Sequence, residues 1–242
     1  MSRARPRAWL IALLVVIGAA GLAYALARQP APPPPRPPAQ RPTLLLLTSL
    51  PLVFGEQFSI EGGGSPALQS LETRYRVVPI SVTDRAELSK GRLLLMAQPR
   101  AQPAEDLVAL DEWVRRGGRV LLLADPMLEW PSDRPLGDPL RPPPMFMDTG
   151  LLGHWGLRLD APDQRGPKGG RLGGYDIVTV SPGALSGRCE IGRDRLVAHC
   201  RPGQGRATIV ADADFLNVEG LGKPARHNLD ALLGELALLE RK

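Results

Sequence analysis

The feature that most restricts the fold of this chain is the stretch from Asp106 to Pro126, DLVALDEWVRRGGRVLLLADP. Apolar residues recur at helical spacing as far as Val114, and two arginines followed by Gly117-Gly118 are typical of a helix end. Val120 to Leu123 is then a short apolar run without alternation, which predicts a strand covered on both faces. A helix followed at once by such a strand is half of a parallel α/β unit, so the stretch favours a fold built on a parallel sheet.

The sequence on either side repeats this alternation. Strands are predicted at 43–48, 75–80, 93–97, 119–123, 157–159 and 207–211. Helices are predicted from Pro66 onward, with Leu68 and Leu71 on the buried side, and at 84–89, 104–116, 145–155 and 228–239. The segment from Pro126 to Pro144 has six further prolines, so it is predicted to be an irregular surface excursion or lid. Short strands between about 170 and 204 predict a small antiparallel β-extension. The fold class is therefore α/β, a mostly parallel sheet flanked by helices.

The first 28 residues predict a membrane anchor or a signal segment. Arg3, Arg5 and Arg7 precede an uncharged apolar run from Ala8 to Ala27. About 20 residues in a helix span a hydrocarbon core of about 30 Å, and the arginines favour a cytoplasmic start. A cleaved signal stays open, because Ala25-Leu26-Ala27 is an A-x-A site, although the length of the run favours an uncleaved transmembrane helix. We expect a single pass of the inner membrane, with the C-terminal domain in the periplasm or outside the cell.

Residues 29–42, QPAPPPPRPPAQRP, are too rich in proline for a helix or a sheet. At about 3.1 Å per residue they predict an extended stalk of roughly 40 Å. Residues 43–242 then form one extracytoplasmic domain.

The charge balance changes once the anchor and the stalk are set apart. The chain has 30 basic and 25 acidic residues, and residues 1–42 hold six arginines and no acid, which leaves 24 basic and 25 acidic residues in the domain. The high isoelectric point therefore comes from residues 1–42 and is no evidence for nucleic-acid binding by the domain, so no nucleic-acid partner is predicted. Gly62-Gly63-Gly64 lacks the Gly-Lys-Ser/Thr ending of a phosphate loop, so no nucleotide partner is predicted either.

The two cysteines, Cys189 and Cys200, lie on either side of a predicted hairpin. In an oxidising compartment such a pair is expected to form a disulfide. Closing a loop of about 12 residues would stabilise the fold by about 2–3 kcal/mol. A metal site with His199 is disfavoured because the neighbourhood lacks further ligands, and no metal centre is assigned.

Three carboxylates follow two predicted strands. Asp125 comes after one strand, and Asp212 and Asp214 come after another, with Asn217 three residues further on. Ligands of open α/β sheets bind at the carboxyl ends of strands, where three carboxylates would suit Mg²⁺ or Ca²⁺. The simpler interpretation, which we favour, is that aspartate stabilises turns and caps helices, and that Asn217 fixes loop geometry. These four residues are the candidate ligand or metal site, and no cofactor is predicted.

Four motifs occur in an order that resembles a known group of proteins. They are LDEWVRRGGRVLLLADP at 110–126, FMDTGLLGHWGLRLD at 146–160, GRATIVADADFLNVEG at 205–220 and HNLDALL at 227–233. They are similar to the extracytoplasmic domain of auxiliary proteins of gliding-motility-type ABC transport systems, and to a related bacterial domain of unknown function. The resemblance covers most of residues 43–242 and implies a class I glutamine-amidotransferase-like fold.

Enzymes of that fold carry a nucleophilic cysteine on a tight turn after a strand, with a histidine as base. Here the corresponding turn reads Ala124-Asp125-Pro126, and no G-x-S-x-G occurs. We therefore expect a protein that is not an enzyme, has no catalytic residues, and serves as an auxiliary or interaction component of an ABC-type transport assembly. Two alternatives stay open: an exported metal-dependent hydrolase that uses Asp125, Asp212 and Asp214, or a module that binds a small ligand or sugar.

Overall fold

A computed structural model describes residues 30–53 and 64–241 of the chain. The chain divides into two compact units, residues 1–31 and residues 32–242. In the described ranges no helix combines the length and the apolar character needed to cross a bilayer. The predicted membrane span at 8–27 and the glycines at 62 and 63 lie outside those ranges.

A central sheet of seven strands runs through the larger unit. The strands are β1 (Thr43–Thr48), β2 (Arg76–Pro79), β3 (Leu93–Ala97), β4 (Arg119–Leu123), β9 (Glu190–Ile191), β10 (Val197–Cys200) and β11 (Arg206–Val210). Their order in the sheet is β2-β1-β3-β4-β11-β10-β9. The strands β1, β2, β3, β4 and β11 are parallel, as the apolar runs predict. The four strands β5 (Leu157–Asp160), β6 (Pro167–Leu172), β7 (Tyr175–Val180) and β8 (Ala184–Gly187) form two further pairs.

The described residues form six α-helices. These are α1 (Pro66–Glu72), α2 (Arg85–Leu88), α3 (Ala104–Arg115), α4 (Leu151–His154), α5 (Val218–Leu221) and α6 (Asn228–Glu240). Polar side chains cap the N-termini of α1 and α2. Ser65 Oγ accepts the Leu68 N–H at 3.2 Å, and Asp84 Oδ1 accepts the Glu87 N–H at 2.7 Å. The prediction of a mostly parallel sheet flanked by helices is confirmed.

The antiparallel part of the fold differs from the prediction. Two separate antiparallel pairs are present, β5 with β8 and β6 with β7. The strands β9 and β10, however, are not part of a β-extension at 170–204. β10 pairs antiparallel with β11, from Val197 opposite Val210 to Cys200 opposite Ala207, so both strands extend the central sheet. A short strand has the same alternating burial in a separate β-extension as at the edge of a larger sheet. The sequence pattern therefore does not show which of the two sheets β9 and β10 belong to.

The helix predicted at 145–155 is also shorter than expected, since only Leu151–His154 is helical. Gly150 has φ 103°, a left-handed conformation that cannot continue an α-helix. Asp148 Oδ1 accepts the N–H groups of Gly150 and Leu152 at 3.0 and 3.3 Å, so a side chain and not a preceding turn begins the helix.

Part of the proline-rich segment lies against the domain. The Arg36 N–H donates to the Thr73 carbonyl at 2.9 Å, and Arg74 donates to the Pro34 carbonyl. The Arg36 guanidinium forms a two-point ion pair with the Glu240 carboxylate, at 3.1 and 2.6 Å. The start of the domain is thus attached to the last turn of α6.

Candidate functional site

The three predicted aspartates meet at the carboxyl edge of the parallel sheet. β4 and β11 are neighbours, with Leu123 opposite Val210, and Asp125 and Asp212 each lie two residues beyond these ends. One carboxylate oxygen from each of Asp125, Asp212 and Asp214 lies within 4.8 Å of the others. We call these three residues the aspartate cluster.

Asp125 is held at both of its oxygens by backbone N–H groups. Its Oδ1 accepts from Met127 at 2.8 Å, and its Oδ2 accepts from Ala213 at 2.9 Å. The second bond joins the turn after β4 to the turn after β11, so Asp125 connects the two strand ends as well as capping its own turn.

Asp212 and Asp214 are hydrogen-bonded less evenly. Asp212 Oδ1 accepts the Thr179 hydroxyl at 2.5 Å and the Phe215 N–H at 3.0 Å, whereas Oδ2 is buried and accepts no hydrogen bond from the described residues. Asp214 Oδ2 accepts the Glu129 N–H at 2.8 Å. One buried carboxylate oxygen of the cluster therefore lacks the partner that buried polar atoms almost always have.

The aspartate cluster lies almost entirely out of water, with exposed fractions of 0 % for Asp125, 0 % for Asp212 and 3 % for Asp214. Burial raises the pKa of Asp125 to about 6, in spite of the N–H donors that lower it. Burial and then the Asp125 charge raise the pKa of Asp212 well above its usual range. Burial likewise raises the pKa of Asp214 to about 7. Within the described part of the chain no ion pair includes any of the three carboxylates.

The segment from Pro126 to Thr149, which we call the excursion, follows directly from the cluster. It contains no helix or strand, as the prolines of residues 126–144 predict, and it includes residues 145–149, for which a helix was predicted. The Phe146 N–H donates to the Asp125 carbonyl at 2.6 Å, and the Leu128 N–H donates to the Pro144 carbonyl at 2.9 Å. Arg100 donates to the carbonyls of Pro139 and Arg141 at 2.5 and 2.7 Å. The excursion is thus held against the domain by several hydrogen bonds.

Asn217, the fourth candidate ligand residue, is a helix cap. Its Oδ1 accepts the Gly220 N–H at 3.1 Å at the start of α5. It does not belong to the group of acidic side chains that could share a metal ion. The fully buried Asn228 has a similar structural position, since it accepts from the Val178 N–H and donates to the carbonyls of Val178 and Phe215.

Gln98 supports the aspartate cluster and was not a sequence-based candidate. It follows β3 directly, is fully buried and has φ 45°. Its Oε1 accepts the Asp125 N–H at 2.9 Å, and its Nε2 donates to the Asp125 carbonyl at 3.1 Å. A polar residue directly after a fully apolar strand is the signal that marks this position.

A second polar group, also absent from the sequence-based candidates, lies on the antiparallel side of the sheet. Glu235 in α6 is 2 % exposed, and its Oε1 accepts the Thr208 hydroxyl at 3.0 Å and contacts His199 Nε2 at 2.9 Å. The hydrogen bond to Glu235 raises the pKa of His199, with a smaller contribution from the charge of Glu190. Both His199 and Glu235 line a surface cavity of about 300 Å³. An acidic residue on the apolar face of a helix is the sequence pattern that marks Glu235.

The two cysteines of the chain are paired with each other. Cys189 and Cys200 form a disulfide, as predicted, with their Cα atoms 4.9 Å apart at the end of the β9–β10 hairpin. The turn after β4 carries Asp125 between Ala124 and Pro126, so no cysteine or serine stands where that family places its nucleophile.

No protein-family description matches this sequence, and neither does any curated protein. Among solved structures, the N-terminal domain of mmIFT52 is similar over 83 % of this chain and 98 % of that domain, with 13 % identity and a TM-score of 0.54. A ThuA-like protein from Bacteroides uniformis is similar over 83 % of this chain and 93 % of its own, with 10 % identity and a TM-score of 0.44.

An exo-β-1,4-mannosidase, Op5Man5 from Opitutaceae bacterium strain TAV5, is similar over 82 % of this chain, with 16 % identity and a TM-score of 0.44. This chain spans only 36 % of the length of that enzyme. At these identities the similarity to the mmIFT52 domain concerns the α/β fold alone, and the other two carry no argument about activity.

Proposed function

We propose that this protein is a non-catalytic, membrane-anchored domain that acts as an auxiliary component of an ABC-type transport assembly. Its α/β unit would be a glutamine-amidotransferase-like domain of the gliding-motility auxiliary type, held outside the cytoplasm by the segment 1–28. It binds membrane transport subunits and needs neither a nucleotide nor a nucleic acid.

The disulfide between Cys189 and Cys200 supports an extracytoplasmic position, because such bonds persist in oxidising compartments. The turn Ala124-Asp125-Pro126 supports a role without catalysis, because it supplies no nucleophile. The exposed fractions of the aspartate cluster, 0–3 %, argue against a hydrolase, because a substrate could not reach the carboxylates without displacing the excursion.

The observation that carries the proposal is the distribution of exposed apolar side chains. Six large hydrophobic residues are exposed among the described residues, and four of them are in the excursion: Leu136 (79 %), Leu140 (66 %), Met145 (50 %) and Met147 (53 %). Apolar side chains concentrated on one surface segment are typical of a protein–protein contact, and methionine adapts well to a partner. In this fold, the excursion covers the edge where a ligand would otherwise bind.

The test is crosslinking of the full-length protein in its own membranes. A photoreactive residue at position 136 or 140 should crosslink to a membrane-spanning subunit of an ABC transporter. The double variant Leu136→Ser/Leu140→Ser should lose co-purification of that subunit, whereas Val108→Ser, which changes an exposed apolar residue on α3, should retain it.

Two results would contradict the proposal. One is recovery of no transport subunit by any of the three proteins. The other is equal recovery by the double variant and Val108→Ser, which would place the contact away from the excursion.

A further inference from the structure

We infer that the aspartate cluster binds a divalent cation that prefers oxygen ligands, Ca²⁺ or Mg²⁺, as a structural ion that joins β4 to β11 beneath the excursion. This inference is independent of the transport role proposed above, since a structural ion is compatible with any function of the domain.

The first argument is the balance of charge. Three carboxylates converge at 0–3 % exposure, and no lysine, arginine or histidine forms an ion pair with them in the described part of the chain. Buried charges in proteins are paired or coordinate metals, because an uncompensated charge is very costly outside water. A divalent cation supplies the missing positive charge.

The second argument is Asp212 Oδ2. This atom belongs to a residue with no exposed surface, and it accepts no hydrogen bond from the described residues. The other oxygen, Oδ1, is already oriented by Thr179 and Phe215, so the position of Oδ2 is fixed. A buried carboxylate oxygen that is fixed in position and accepts no hydrogen bond is suited to bind a cation.

The third argument is the ligand geometry. Each carboxylate has about four lone-pair positions, so Asp125 and Asp214 can each bind a cation without losing their backbone hydrogen bonds. Ca²⁺ binds oxygen at about 2.3–2.6 Å, so two of its ligands lie at most about 5 Å apart. The 4.8 Å limit on the spacing of the three oxygens fits this range without movement of the strands.

The fourth argument is the way the ligands are supported. Asp125 accepts from Ala213, and Gln98 holds the Asp125 peptide from the other side. Hydrogen bonds that orient the ligands in this way are usual around metal sites. Because Asp125 belongs to one strand end and Asp212 and Asp214 to the next, the ion would crosslink the sheet where the excursion begins.

The experiment uses full-length protein in detergent, stripped with EDTA and then titrated with CaCl₂ or MgCl₂. We expect one ion per chain by calorimetry. At about 100 times the dissociation constant, the Tm should rise by about 5–10 °C. Asp212→Asn should reduce the rise to about 1 °C or less, because it removes the charge of the unpartnered oxygen and keeps the shape of the side chain. Asp163→Asn, the same change at an exposed carboxyl, should leave the full rise in place.

The inference is overturned if neither ion binds or shifts the Tm of the wild-type protein. That result would mean that the three carboxyls are neutralised by protons. An unchanged rise in Asp212→Asn would overturn it as well, since the ion would then bind elsewhere. If Asp212→Asn does not fold, Asp214→Asn decides the question by the same comparison.

Discussion

At the residue scale, Gln98 shows how a single side chain positions the candidate site. Its φ of 45° is a left-handed conformation that costs a residue with a Cβ about 1–2 kcal/mol. The hydrogen bonds between its side-chain amide and the Asp125 backbone, at 2.9 and 3.1 Å, offset that strain. The residue thus keeps an unfavourable backbone conformation because its side chain has two buried partners.

A pair of substitutions separates the two contributions. Gln98→Ala should lower the free energy of unfolding by about 1–3 kcal/mol, because it leaves the buried Asp125 N–H without its acceptor, whereas the Asp125 carbonyl still accepts the Phe146 N–H. Gln98→Gly removes the same hydrogen bonds and also relieves the backbone, so it should be about 1 kcal/mol more stable than Gln98→Ala. Urea denaturation of the three proteins measures both differences. A glycine variant less stable than the alanine variant would show that the backbone is not strained.

His199 should give the stability of the protein a specific pH dependence. Its pKa is raised above 6.5 in the folded state, chiefly by the hydrogen bond to Glu235. The folded state therefore binds the proton more tightly than the unfolded state does. The resulting stabilisation is fully present below pH 6.5 and is lost as the pH rises through the folded pKa.

The measurement is the difference in unfolding free energy between wild type and His199→Gln, taken at acidic and at alkaline pH. We expect the wild-type protein to exceed His199→Gln in unfolding free energy by a smaller margin at alkaline pH than at acidic pH. The change should be no more than about 1 kcal/mol, because the imidazole is 46 % exposed. A constant difference across the range would mean that the pair contributes nothing through protonation.

At this scale the sequence identifies the three aspartates of the cluster but not the residues that hydrogen-bond to them. Asp125, Asp212 and Asp214 could be identified because each follows a run of apolar residues, and the convergence of strand ends is a general property of parallel sheets. Thr179 and Glu129 could not, because their contacts with the cluster depend on loop paths that no local pattern specifies. Gln98 also follows an apolar strand, but that pattern does not show that its side chain binds the Asp125 backbone.

At the element scale, the contact between α3 and β11 depends on one glycine. A Cβ at Gly205 would lie 1.9 Å from the Val114 carbonyl and 2.5 Å from the Gly118 carbonyl. Both atoms are backbone, so neither can move out of the way without shifting the helix end. The last turn of α3 and the start of β11 can approach this closely only because residue 205 has no side chain.

Gly205→Ala should therefore destabilise the fold by about 1–3 kcal/mol or more, through overpacking. Gly153→Ala is the matched control, because a Cβ there has no atom within 4 Å and the residue lies in α4. We expect the control to be neutral or more stable by up to about 1 kcal/mol, since alanine favours helix. Thermal unfolding of both variants gives the comparison, and similar Tm values would argue against the close contact.

The elements themselves were predictable where they repeat one simple pattern. The parallel strands are apolar throughout, and β1, β3 and β4 were located to the residue from that property. The antiparallel strands β9 and β10 are short, so their membership of the central sheet depends on pairing with β11, a contact distant in the chain. The helix predicted at 145–155 is longer than the observed helix at 151–154. The apolar pattern starts at residue 145, but the side chain of Asp148 and the conformation of Gly150 delay the start of the helix to Leu151.

At the scale of the whole molecule, the ends of the domain meet. Arg36 pairs with Glu240 through two hydrogen bonds and lies 5.7 Å above the Tyr75 ring, and Arg119 donates to the Glu240 carbonyl at 2.6 Å. The sequence of residues 29–42 predicts a stalk, because proline composition describes stiffness and not contacts. An ion pair between positions 36 and 240 has no local signature.

Glu240→Gln tests whether this pair holds the N-terminal segment of the domain in place. The substitution keeps the size of the side chain and removes its charge, and the Glu240 carbonyl still accepts from Arg119. We expect the Arg36 amide, which donates to Thr73, to exchange its hydrogen about 2–5 times faster, as suits an ion pair worth up to about 1 kcal/mol. Glu219→Gln, an exposed acid on α5, is the control, and equal exchange in both variants would show that the pair is not restraining the segment.

The Arg36–Glu240 pair also determines how the domain would respond to mechanical load. Tension applied to the chain ahead of residue 32 would reach Arg36 before it reached β1, and the ion pair would carry part of it into the last turn of α6. β1 lies inside the sheet between β2 and β3, so pulling on it would have to shear two rows of hydrogen bonds at once. A domain tethered at this end would therefore yield first at the contacts made by Pro34 and Arg36, the ion pair among them, while its sheet and the aspartate cluster stayed intact.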